Sequence, residues 1–155
     1  MDAEPTQIVA GADVLAADLL VGGDARAALD HVREQSWLTL VASDPLLDDA
    51  ETVIETLADD ALAADWRTRI EAERESVSHP PEDHPGLASA YRGEAAHLLS
   101  YDESLRSANA GLSIQPYADL SVRPPDAFAR LFDAGSLYEA TFDDDYPGPD
   151  RDARG

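Results

Sequence analysis

Short unbroken apolar runs alternate along this chain with longer stretches in which apolar and polar positions recur at helical spacing. The runs TQIVA (residues 6–10), LTLVA (38–42), AHLLS (96–100) and DLSVR (119–123) predict strands, and residues 76–78 leave room for a further short one. Between the first two runs a helical pattern covers 13–35, broken at GGD (22–24), where Asp24 is expected to cap a second helix. Helices are also expected over 45–57, 60–75 and 83–92. Strands without polar alternation are buried on both faces, and helices between them imply right-handed crossovers. The pattern therefore predicts an α/β fold, three layers α/β/α around a central parallel sheet of four or five strands. Such a sheet binds its ligands outside the carboxyl ends of its strands.

The 155 residues suffice for one core and not for two. Residues 1–5 are expected to be a flexible N-terminus, 6–140 a single domain, and 141–155 a disordered tail, because that last stretch is acidic and rich in proline and glycine. The segment SVSHPPEDHPG (76–86) reads as a loop. The opening MDAEPTQIVA lacks a basic and then apolar leader, and no apolar run approaches about 18 residues. A cytoplasmic protein away from membranes is the expectation.

Charge changes the picture more than length does. The formal net charge is −21, with 32 acidic residues against 11 basic ones, all of them arginine. Apolar content is 44%, so the acids must coat a folded surface. That coat repels itself in dilute buffer, but at 1 M salt the Debye length falls to about 3 Å. The composition resembles the haloarchaeal pattern, in which aspartate is abundant and arginine replaces lysine. No basic cluster interleaved with aromatic residues is visible, so contacts with RNA would have to be local. Cysteine is absent, which removes disulfides, thiolate chemistry and cysteine-rich zinc sites.

The candidate chemistry lies where aspartates fall just beyond strands. Asp102 follows HLLSY; Asp44, Asp48 and Asp49 follow LTLVAS; Asp83 stands ahead of the helix HPGLASAYRG. Parallel topology brings these segments to one sheet edge. Carboxylates about 4 Å apart repel by roughly 4 kcal/mol per pair at an effective dielectric of 20, so a convergent set needs a cation or protons. Oxygen donors without cysteine suit Mg²⁺ or Mn²⁺.

These stretches together resemble the PIN-domain nucleases, metal-dependent ribonucleases. IVAGADVLAADLL is similar to their opening motif, with Gly11 where the first acid belongs and Asp13 two positions on. LVASDPLLDDAETVIETL resembles the second element and supplies Asp49, with Asp48 as its rival. DHPGLASAYRGEAAHLLSYDESL resembles the third, supplying Asp83 and, with Ser100 in place of threonine, Asp102; LSVRPPDAFARLF resembles the closing strand and helix. The likeness runs in order through most of residues 7–132. It implies catalytic residues Asp49, Asp83 and Asp102, which with Asp13 would hold one or two divalent ions that activate water against a phosphodiester.

Each acid also has a structural alternative. Asp13, Asp83 and Asp102 are natural helix caps, and Asp49 suits a solvated helix face. Ser100 could contact substrate or serve as a turn residue. His31, His79, His84 and His97 show no zinc spacing and are read as non-ligands. Trp37, Trp66, Tyr91 and Phe128 are expected in the core. Two functions compete: a divalent-metal-dependent endoribonuclease with a reduced acid set, and an inactive PIN-fold module that binds RNA, a protein partner or a second copy of itself. A third, an unrelated α/β protein with an acidic pocket of the phosphate-accepting receiver type, ranks last because that class uses a lysine near its site.

Overall fold

A computed structural model describes residues 4–80, 82–102 and 121–152. Among them, five strands form one sheet: β1 (Glu4–Ala10), β2 (Thr39–Ser43), β3 (Glu75–Val77), β4 (Ala95–Leu99) and β5 (Ser121–Arg123). The order is β3-β2-β1-β4-β5 and every pairing is parallel. Seven helices among the described residues flank it. They are α1 (Ala12–Leu20), α2 (Gly23–Arg33), α3 (Asp44–Leu57), α4 (Asp60–Glu73), α5 (Pro85–Arg92), α6 (Pro125–Leu131) and α7 (Ala134–Phe142). The expected three-layer α/β fold is what forms.

The burial explains why the strand runs were apolar throughout. Ile8, Val9 and Ala10 of central β1 are buried, as are Val41 and Ala42 of β2 and Leu98 and Leu99 of β4. Side chains alternate across the sheet. On β4, His97 meets Phe128 of α6 with ring centres 5.5 Å apart, whereas Leu98 faces Gly86 of α5, where an added Cβ would lie 3.5 Å from its Cδ1. Register places Val9 beside Leu98 and Ala10 beside Leu99, so the ends of β1 and β4 lie level.

The helix boundaries are set by caps. The break after α1 falls as expected, but Gly22, at φ 83°, caps α2, and Asp24 sits inside its first turn. That φ lies in the left-handed region, where glycine is favoured. Ser43 and Asp59 accept from the backbone N–H of Leu46 and Leu62 and start α3 and α4. Asp83 does not open its helix: the Nδ1 of His84 accepts from Leu87 N–H and caps α5.

Of the four aromatic residues expected inside, Phe128 and Trp66 are buried, while Trp37 and Tyr91 are half-buried. Trp37 packs edge-on against Tyr138 and Phe142 of α7. The stretch expected to be a disordered tail lies along the segment after α2. Gln35 donates to the Tyr146 hydroxyl at 2.8 Å, Ser36 N–H donates to Asp150 at 2.7 Å, and Arg151 donates to the Gln35 carbonyl at 2.6 Å. Specific hydrogen bonds and the contact of Tyr146 with Tyr138 thus hold a stretch that has few apolar residues beyond Phe142. Asp119 and Leu120, expected in the last strand, lie outside the described residues.

Candidate functional site at the ends of β1 and β4

The sheet winds from β1 through β2 to β3 on one side and resumes with β4 on the other, so its order reverses between β1 and β4. In open α/β sheets the crevice at such a reversal is where ligands bind. Gly11, Asp13, Ser100, Tyr101 and Asp102 occupy this edge.

Gly11 is buried and caps α1 with φ −63° and ψ 164°, a conformation open to any residue. Its glycine character is therefore a matter of space. A Cβ there would lie 2.7 Å from Asp13 Oδ1, 3.3 Å from the Leu99 carbonyl oxygen and 3.8 Å from Ser100 Cβ. The carboxylate of Asp13 fills the place where a side chain at position 11 would begin. Asp13 does not cap α1 from outside, as its sequence position suggested; it stands in the first turn and its side chain folds back.

Both oxygens of that carboxylate accept hydrogen bonds. Oδ1 accepts from Val14 N–H at 2.9 Å; Oδ2 accepts from Tyr101 N–H at 2.8 Å and from the Ser100 hydroxyl at 3.3 Å. The Ser100 hydroxyl in turn accepts from Asp102 N–H at 3.0 Å, and Gly11 N–H donates to the Leu99 carbonyl at 2.8 Å. Asp13 thus fastens the β1–α1 turn to the chain leaving β4. Ser100 is buried at the centre of this seam, and Asp102 is exposed beside it.

The other two predicted site residues stand differently. Asp49 is exposed on α3; its neighbour Asp48, also exposed, is paired with Arg67 of α4 at 2.7 Å. Asp83 is exposed on the turn before α5, where its N–H donates to the Pro80 carbonyl at 3.1 Å. No group of three or more His, Asp or Glu side chains gathers as a metal site among the described residues, so Asp13, Asp49, Asp83 and Asp102 do not assemble one as they stand. The donor set does not fit a dedicated protein cage for Mg²⁺ or Mn²⁺.

Three residues that sequence reasoning passed over also belong to this edge. Tyr101 is 45% exposed, and its phenol is pushed above its ordinary value by burial and by the charges of Asp24, Asp13 and Asp126. Asp24 was read only as a cap and Asp126 only as part of a closing helix; their common neighbour is visible once the sheet is assembled. The histidines have other partners. His31 meets the Ala129 carbonyl at 3.1 Å. His79 Nδ1 faces the Pro80 carbonyl at 2.8 Å, so in the neutral ring that nitrogen carries the proton and Nε2 accepts from the Ser43 hydroxyl, also at 2.8 Å. Ser43 is fully buried, which keeps that pair from reaching a substrate.

The fold and this edge define a doubly wound α/β protein whose reversal point is closed by a carboxylate. The chain belongs to the family described as a family of unknown function (DUF7384), matched over residues 2–154. No curated protein and no solved structure matches it.

Proposed function

We propose that this chain is a PIN-like protein without nuclease turnover, acting in the cytoplasm as an interaction module for a protein partner. The observation that carries the proposal is the placement of Asp13: its carboxylate stands in the space of a side chain at Gly11 and is spent on Ser100 and Tyr101. The ordered motifs and the reversal of strand order between β1 and β4 support the PIN-like kinship. A net charge of −21 favours a protein partner over RNA, and Arg26, Arg33, Arg67 and Arg74 are already held by acids of the same chain. No helix among the described residues is long and apolar enough to cross a membrane.

A second function, the reduced endoribonuclease, is favoured by one arrangement. Asp13 and Asp102 are joined through Ser100 at a single strand end, and Mg²⁺ can be held by one or two carboxylates with waters and substrate phosphate. The deciding experiment incubates single-stranded RNA with the protein and Mn²⁺ in molar KCl. No cleavage and no saturable RNA binding are expected. Cleavage that disappears in Asp102→Asn would replace the first function by the second.

A further inference from the structure

A cavity of about 360 Å³ opens between the β4–β5 edge of the sheet and the last two helices, and none of the seam residues Gly11, Asp13, Ser100 and Tyr101 lines it. Its lining includes Arg123 from β5, His97 from β4, Leu131 and Phe132 from the end of α6, and Asp133 and Leu137 from the start of α7. The volume lies within the range that small organic ligands occupy, roughly 300–1,000 Å³.

Three features distinguish this cavity from a packing defect. First, the guanidinium of Arg123 makes no ion pair with any described residue, in a chain with 32 acids against 11 arginines. Among the described residues this leaves a half-buried arginine fork with no carboxylate of its own chain, the arrangement an anionic ligand requires. Second, His97 Nδ1 is buried without a hydrogen-bond partner. Burial and then the nearby charge of Arg123 both hold that imidazole below its ordinary protonation range, so it adds no second cation. Third, the lining has an apolar wall: Leu131, 65% exposed, stands there with Phe128, Phe132 and Leu137.

We propose that this cavity binds a small organic monocarboxylate, its carboxylate paired with Arg123 and its apolar body lying on Leu131, Phe132 and Leu137. The planar fork of arginine matches a carboxylate with two parallel hydrogen bonds. Selection against more highly charged anions comes from Asp133 on the rim. Its carboxylate is held below the usual range by the backbone N–H and hydroxyl of Ser136, so it stays ionised and repels a second negative charge. One cation, one opposing anion and an apolar floor together specify a singly charged amphiphile.

The test titrates 3-phenylpropionate into the full chain in molar KCl and follows backbone and methyl NMR signals. Shifts are expected at Arg123, Leu131, Phe132 and Leu137, with Arg123→Gln weakening binding by about tenfold or more. The amine 2-phenylethylamine, with the same phenethyl body and a cation in place of the carboxylate, should not bind, and phenyl phosphate should bind more weakly than the carboxylate. Asp133→Asn keeps the helix cap and should narrow that gap. An unchanged spectrum of Arg123→Gln outside the cavity checks its fold. Absence of shifts at millimolar ligand, equal binding of the amine, or indifference to Arg123→Gln would each overturn the proposal. None of these outcomes depends on whether the chain cleaves RNA.

Discussion

If the Asp13 carboxylate truly occupies the space above Gly11, substitutions at the two positions must interact. Gly11→Ala builds a Cβ 2.7 Å from Asp13 Oδ1, well inside the contact distance real Cβ atoms keep. The backbone at Gly11 already suits alanine, so conformational strain adds nothing. Relief requires the carboxylate to swing away, which loses the bonds to Tyr101 N–H and Ser100 Oγ. Bonds to a charged acceptor are worth about 1.5–3 kcal/mol each when buried. Asp13 is exposed, so water replaces much of this and about 1–2 kcal/mol in total is the expected loss. Asp13→Ala alone forfeits the same bonds. The double variant has no carboxylate to displace, so its loss should fall short of the summed single losses by about 1 kcal/mol or more. Urea unfolding at fixed molar KCl measures all three variants at constant ionic strength, which guanidinium would not keep. Additivity to within about 0.3–0.5 kcal/mol would refute the shared-space account.

Three further outcomes are expected. Arg67 reaches Asp44, Asp48, Glu51 and Glu71 at 2.7–3.6 Å, so Arg67→Gln leaves Asp48 and Glu51 without their cation and Asp44 and Glu71 with Arg74 alone. Because most of them are half-exposed, a loss of about 1 kcal/mol is expected in 0.1 M KCl, shrinking in molar salt; an equal loss in both would exclude a charge effect. For His97 the protonation range is lowered by burial and Arg123 from an ordinary value of 6.5. The unfolded chain therefore takes up a proton that the folded chain refuses as pH falls below 6.5, and stability drops in that window. His97→Gln should show a shallower decline from pH 6.5 downward in urea midpoints, and parallel curves would contradict this. Tyr146→Phe removes the acceptor for the buried Gln35 amide and should cost about 1 kcal/mol, whereas a tail that does not dock would show no change.

The layer architecture was legible because central strands buried on both faces leave apolar runs that nothing local disguises, as in β1, β2 and β4. Residues 75–77 were harder, since an edge strand of three residues with two exposed side chains carries little pattern. Cap positions failed where the cap is not a short polar side chain: Gly22 works through its φ of 83° and His84 through a ring nitrogen. At the site, strand-end positions could be read but partners could not. Asp13 finds Ser100 and Tyr101 across 87 and 88 residues, and Asp48 finds Arg67 across 19, so no neighbouring residue announces either bond. Nor does composition separate Arg123, which has no ion pair among the described residues, from Arg67, which is surrounded by acids.

The seam at Asp13 also bears on how the chain assembles. β1 is the middle strand, yet one of its two neighbours, β4, enters some ninety residues later, as the 87-residue span from Asp13 to Ser100 measures. Bringing so distant a pair together carries a loop-closure cost that contacts between nearby elements do not. Until β4 arrives, one edge of β1 is unpaired and its apolar side chains lack one of their two neighbours. During synthesis or refolding this exposed strand edge is therefore an aggregation hazard. The bonds of Asp13 to Ser100 and Tyr101, formed only when β4 docks, act as the latch that ends it.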